Sequence, residues 1–423
     1  MRVLVHDYAG HPFPVQLSRE LARRGHELLH LHFLDLQTPK GNLHKRADDP
    51  VTFDVVGISL GEPFRKWSSL IRRRRQELRY ARCAAERLRR YRPDVVLSAN
   101  TPLEVQAIIH SACREVGARL VIWVQDFYSI AVETLLTRKL GLPGRLIGRY
   151  YRRIERKLLN ECDQIIYITE DFFDIARGCE IDVSKCHVIE NWSPLDEIIP
   201  CDRDNAWARS HGLTGKLCIL YAGTMGLKHN PALLLELAES WRDHEEVVVV
   251  VVSEGPGRTW LEAQRAKRQL SNLKLLDFQP YEQLSEVLAS GDILVALLER
   301  DAGVFAVPSK VLSYMCVGRP LLLAVPKGNL AGRTVEQGGA GLVVEPDDGA
   351  GLDRCARRLI HDPDLRTSLG RNARRYALAN FDIEKIGDRF EAILDTRGAL
   401  AKSERHGHTG MSRNRTVRRE RTL

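Results

Sequence analysis

What the chain lacks narrows its class first. No run of about 18 or more apolar residues occurs, so no stretch reads as a membrane-spanning helix. The opening MRVLVHDYAG has neither the apolar region nor the cleavage site of a signal peptide, and the expectation is a chain that stays in the cytoplasm. Its nine cysteines (Cys83, Cys113, Cys162, Cys179, Cys186, Cys201, Cys218, Cys316 and Cys355) are scattered, with no Cys-x-x-Cys pair and no histidine partner at zinc spacing. That excludes a disulfide scaffold and a zinc module. Asp202-Arg203-Asp204 has the outline of a metal-binding Asp-x-Asp, but it stands in a polar linker with no buried strand before it, so no metal is expected. Aromatics are sparse in the basic segments, only Trp67, Tyr80, Tyr150 and Tyr151, and a nucleic-acid partner is not expected.

What is present is a soluble composition, 44% hydrophobic and 28% charged, over 423 residues, which is too long for one ordinary domain. The net charge of +8 is concentrated at the end, where residues 401–423 hold seven basic against two acidic side chains. With almost no apolar residues, 399–423 is expected to be a disordered basic tail.

Hydrophobic patterning alternates strand and helix twice over. Strands are predicted at 2–6, 28–33, 53–58, 94–98, 119–124, 164–169 and 187–189, then at 217–221, 246–252, 273–278, 292–297, 320–324 and 341–344. Strands separated by helices imply parallel sheets covered on both faces, with ligands at the strands' carboxyl ends. The fold class is therefore α/β, with two Rossmann-like domains facing each other across a crevice. The expected domains are 1–200 and 201–380. A helix over 381–398 is expected to return to the first domain.

The stretch 218–230, CILYAGTMGLKHN, organises the second half. A buried strand breaks at Gly223, where the absence of a side chain lets backbone approach a phosphate, and Lys228 adds a cation. In the first half Asp126 follows a strand end within VIWVQDFYS, where a carboxylate would face the crevice; a turn or cap role is the alternative. Residues 66–90 and 134–159 interleave apolar stripes with arginines, including Arg72 and Arg73 in the first and Arg145, Arg149, Arg152 and Arg153 in the second. Such basic amphipathic segments suit an anionic membrane surface; the alternative is a solvated helix whose apolar stripe packs on the sheet.

Several blocks in order, namely Gly10 after the first strand, HELLHLHF, RPDVVLSANTPLEVQ, YAGTMGLKHNPALLLELA, SEGPGR and VPSKVLSYMCVGRPLLLAV, resemble the bacterial family 4 glycosyltransferases of the GT-B fold. The likeness is to those of colanic acid and O-antigen synthesis, over roughly residues 1–395. The resemblance implies a retaining transfer from a nucleotide-sugar donor to a lipid-linked glycan in surface polysaccharide biosynthesis. It also implies that 1–200 faces the acceptor and the membrane while 201–380 binds the nucleotide sugar, with no cofactor, no metal, and a peripheral place at the inner face of the cytoplasmic membrane.

Carried over by residue, it assigns Gly10, Gly223 and Lys228 to the donor, with Thr224 standing where many members have a second cation. Ser253, Glu254 and Gly255 match the turn near the nucleotide, and Gln279 lies in the loop that reads the base. Ser309 and Lys310 head a helix beside the diphosphate, although an N-cap and a solvated lysine are the plainer readings. The family's paired glutamates are replaced by Phe305 and Ser313. Phe305 suits the methyl group of a 6-deoxy sugar, and Ser313 can still bond a ribose hydroxyl. A sugar-nucleotide epimerase of the same architecture and a non-catalytic glycosyltransferase-like partner remain as alternatives.

Overall fold

The computed structural model describes residues 1–64, 70–99, 101–226, 228–303 and 306–395. Phe305 and the basic tail lie outside the described residues. The first sheet holds β1 (Arg2–Asp7), β2 (Glu27–Phe33), β3 (Phe53–Ile58), β4 (Val95–Ala99), β5 (Arg119–Val124), β6 (Gln164–Tyr167) and β7 (Cys186–Val188). The second holds β8 (Leu217–Ala222), β9 (Val247–Val252), β10 (Leu273–Leu276), β11 (Ile293–Leu297), β12 (Leu321–Ala324) and β13 (Gly341–Val344). Their orders are β3-β2-β1-β4-β5-β6-β7 and β10-β9-β8-β11-β12-β13. The paired strands run parallel, as in the pairs Val5↔Leu97 and Leu220↔Leu294. In each sheet the order reverses beside its first strand, and a crevice opens there at the carboxyl ends.

Burial on both faces explains the strand compositions. In the six-valine strand β9, Val248 and Val250 join the core that runs through to the first sheet, while Val249 and Val251 join the outer core of the second. Strand β8 does the same, with Leu220 on one side and Ile219 and Tyr221 on the other.

The two halves are tied by the chain's last described helix, Ile383–Leu394, which begins on its cap Asp382 and returns to the first sheet. Its Phe390 is fully buried and meets the rings of Trp123 and Trp192 edge-on, at centroid distances of 4.8 and 5.8 Å. Arg24 bonds Asp388 at 2.6 Å and Glu391 at 3.0 Å, and His26 meets Glu391 at 2.8 Å.

One segment departs from its sequence pattern. The 134–159 stretch does not run as a single rod but forms a hairpin of helices Tyr128–Leu140 and Leu142–Glu161, reversing at Gly141. Gly141 has φ +64°, and Pro143 follows inside the next first turn, so the chain must turn there.

Candidate active site

Between the sheets lies a cleft of about 890 Å³. On the second sheet its wall is built from the loop after β8, with Gly223, Thr224 and Lys228, the loop after β11, and the start of helix Lys310–Cys316. On the first sheet it is built from the loop after β1, the β4 end and Asp126 after β5. Both walls thus stand at the points where strand order reverses.

The structure brings together two residues that sequence treated separately. Lys228 Nζ lies 3.3 Å from Asp126 Oδ2, joining the two walls across the cleft, with both side chains about one-third exposed. Ser313 lines the same space, its hydroxyl 3.0 Å from that of Ser193. Gln279 also lines it, accepting a bond from Trp207 Nε1 at 3.0 Å.

Lys310 is the largest departure from a plain reading. It is no solvated first-turn lysine: its Nζ is buried with no hydrogen-bond partner, 3.6 Å above the centre of the Tyr221 ring. Burial, and then the charge of Lys228, push its pKa well below the usual lysine range. The glycine loop makes this possible. Gly223 has φ +131°, a conformation L side chains rarely adopt, and a Cβ there would press on the end of Lys310, 3.1 Å from Cε and 3.3 Å from Nζ. Gly223 N–H itself is spent on Val252 O at 3.0 Å, so what the residue contributes to the wall is room. Ser309 is exposed at the cleft and makes no side-chain cap.

Other expected donor residues sit behind the cleft. Ser253 is fully buried and donates its hydroxyl to Gly223 O at 2.7 Å. Glu254 O accepts from Met225 N–H at 2.9 Å, and Gly255, at φ +115°, has no room for a Cβ, which would come within 2.8 Å of Met225 O. Through these contacts the three brace the glycine loop from below, set back from the cleft lining. Gly10 is likewise set back. A Cβ on it would meet Leu43 Cδ1 at 2.9 Å, and its neighbours Ala9 and His11 line the cleft instead.

Arg73 is also relocated. It lines the cleft, its Nε bonding Glu77 at 2.8 Å and its Nη2 3.4 Å from the Tyr128 hydroxyl. Arg72 is half exposed and reaches Glu62 at 3.8 Å. Arg152 pairs with Glu133 inside the hairpin, whereas Arg145, Arg149 and Arg153 are exposed.

Sequence reasoning missed Glu299 and Asp301, two exposed carboxylates that line the cleft directly after β11. Their position at a parallel strand's carboxyl end was the signal available. It also missed Glu155, which caps the hairpin from inside by accepting from Tyr128 N–H at 2.9 Å and from the Ser129 hydroxyl. Burial pushes its carboxyl up to about 7 against those bonds.

Comparison with known proteins agrees with this architecture. The model of the Glycosyltransferase Family 4 domain matches residues 14–197, and that of Glycosyl transferases group 1 matches 204–376. The chain is 26% identical over 318 residues to the colanic acid biosynthesis glycosyl transferase WcaI of Escherichia coli (strain K12), covering 73% of this chain and 75% of that one. It superposes on sucrose-phosphate synthase from Thermosynechococcus elongatus with TM-score 0.71 at 14% identity, covering 95% of this chain and 100% of that one. With the Anabaena protein HepE, solved in complex with UDP-glucose, the TM-score is 0.67 at 14% identity, over 94% and 100%. Two facing parallel sheets, a glycine loop backed by a buried lysine, and matched domains on both halves make this chain a glycosyltransferase, a member of family 4 with the GT-B fold.

Proposed function

We propose that the cleft binds a nucleotide-diphosphate sugar and transfers the sugar, with retention, to a lipid-linked glycan acceptor in bacterial surface polysaccharide synthesis. The observation that carries the donor half is Lys310 Nζ, buried without an acceptor beneath Gly223, with Lys228 on the rim. A buried lysine without a partner is costly, and an entering diphosphate would supply what it lacks. The growing charge on the departing nucleoside diphosphate is then met by the Lys228 ammonium and by Lys310, whose lowered pKa the entering anion raises again, which is electrostatic stabilisation of the transition state. Asp126, paired with Lys228, orients the acceptor hydroxyl once the diphosphate competes for that lysine. In a retaining transfer the leaving phosphate can itself take the hydroxyl proton. The likeness to HepE, whose complex holds UDP-glucose, supports a nucleotide sugar as donor. No metal is required in this scheme.

The acceptor half rests on the helical hairpin. Leu140, Leu142, Leu146 and Tyr150 are exposed there between Arg145, Arg149 and Arg153, so this part of the apolar stripe is not spent on packing, whereas Leu158 is buried and Ile154 packs on the core. No helix of the described residues is long and apolar enough to cross a membrane, and reversible adsorption to an anionic leaflet is the route to a lipid-linked substrate. The likeness to a colanic acid transferase supports a surface glycan as product. The test is calorimetry of UDP, GDP and dTDP with the full chain, followed by the matching nucleotide sugars and a native lipid extract. Absence of binding by all three diphosphates overturns the donor assignment, and transfer to water-soluble glycans alone overturns the lipid-linked acceptor.

A further inference from the structure

We propose that donor binding in this cleft takes up one proton from solvent on Lys310 Nζ: the side chain stands in the fold as a neutral amine, and an entering nucleoside diphosphate converts it to the ammonium. This rests on the donor reading above and adds a regulation of the same site, because pH then sets donor affinity.

Lys310 opens the helix Lys310–Cys316, and both it and Gly223 line the cleft. Its Nζ is buried with no hydrogen-bond partner, 3.6 Å from the centre of the Tyr221 ring. Toward the cleft stands the glycine. A Cβ on Gly223 would lie 3.3 Å from Nζ, so an unfilled side-chain position is what separates the amine from the cleft. The polar groups nearby are spent elsewhere. The Tyr221 hydroxyl donates to Thr224 O at 2.9 Å, the Tyr314 hydroxyl to Ala222 O at 3.0 Å, and the Ser253 hydroxyl to Gly223 O at 2.7 Å. An ammonium without acceptors in such a place is far costlier than an amine, and a lysine there sheds its proton.

The surrounding charges push the same way. Lys228, on the glycine loop, is of like sign and adds to burial in holding the Lys310 pKa well below the usual lysine range. The carboxylates on the elements around it are Asp126 after β5, Glu254 after β9, and Glu299 and Asp301 after β11. None of them bonds Nζ, and Asp126 is paired with Lys228 at 3.3 Å. A diphosphate reverses the balance, since opposite charge beside the amine favours the charged form and the phosphate oxygens supply the acceptors that Nζ lacks. The Tyr221 ring then faces an ammonium, which it attracts. The sign of the linkage follows. Between the low pKa of the free protein and the raised one of the complex, binding takes up a proton and weakens as pH rises, by up to about tenfold per pH unit.

The test is calorimetry of UDP, GDP and dTDP with the full chain at pH 8, where the terminal phosphate is fully ionised, in Hepes and in Tris, whose ionisation heats differ. For each diphosphate that binds, the heats in the two buffers differ by the equivalent of about one proton taken up. Lys310→Met loses that difference, while Lys228→Ala weakens binding and keeps it. In the wild type, affinity falls between pH 7 and 9, a readout that needs no variant. Equal heats in the two buffers, uptake that persists in Lys310→Met, or an affinity that stays level from pH 7 to 9 overturns the proposal. Failure of all three diphosphates to bind overturns the donor reading instead.

Discussion

At the scale of single residues, the buried Lys310 Nζ ties stability and function in opposite directions. It has no hydrogen-bond acceptor in the fold and rests on an aromatic face, so Lys310→Met is expected to raise the melting temperature while weakening nucleoside-diphosphate binding. Lys228→Ala should weaken binding too, each variant by about 1.5–3 kcal/mol, the range of a charge-assisted bond. Calorimetry and thermal melts on the two variants check this, and unchanged affinity in both removes these lysines from the site. Glu155 supplies a pH signature. Its folded carboxyl titrates near 7, above the unfolded value, so the native state holds a proton that the unfolded chain has released. The stability this gives is present in full below the unfolded pKa and is lost as pH rises through about 7. Denaturation midpoints from pH 5 to 8 should therefore fall less in Glu155→Gln than in the wild type. Some slope should remain from Asp7, which burial also pushes up to about 7.

At the scale of elements, the hairpin of Tyr128–Leu140 and Leu142–Glu161 presents Leu142 and Leu146 at 76% and 63% exposure among basic residues. Each Lys or Arg near an anionic leaflet contributes on the order of 1 kcal/mol that salt screens, whereas the apolar side chains add attraction that salt leaves intact. Vesicle binding is expected to weaken but persist as salt rises, and replacing Arg145, Arg149 and Arg153 by Gln should release the protein from anionic vesicles with diphosphate binding intact. Arg152 does not belong in that set, because it is paired with Glu133 within the hairpin. Co-sedimentation of the triple variant and of a 399–423 truncation decides the matter. If the truncation alone stays in solution, the tail and not the hairpin is the anchor.

At the scale of the whole molecule, the returning helix Ile383–Leu394 makes the first sheet depend on the chain's far end. Phe390→Ala empties a site between Trp123 and Trp192 and should cost about 3–5 kcal/mol in urea unfolding, with the transition of the first half moved most. A smaller loss would mean the helix is a removable strap. The cleft is lined from both halves, and no group of three or more His, Cys, Asp or Glu side chains able to hold a metal occurs among the described residues. Turnover in EDTA is expected to equal turnover without it, and a loss restored by added divalent cation would reject the metal-free scheme.

Periodicity alone laid out the alternation of strands and helices, because burial on both faces writes itself into runs such as Val247–Val252, and glycines at Gly223 and Gly255 marked where backbone must turn left-handed. Local pattern likewise singled out Asp126 and Lys228 as polar groups near strand ends, while Lys310 entered with the family resemblance as a residue heading a helix. Which way each side chain points was decided by contacts far apart in the chain. The Lys228–Asp126 pair joins two sheets, Arg73 turns to Glu77 and the cleft rather than outward, and Ser253 spends its hydroxyl on the loop above it. Only tertiary packing within each half leaves Lys310 Nζ, against Tyr221, and the Tyr8 hydroxyl, whose ring packs on Phe33 and Tyr80, buried without partners, because desolvation is a property of the assembled fold and not of any segment.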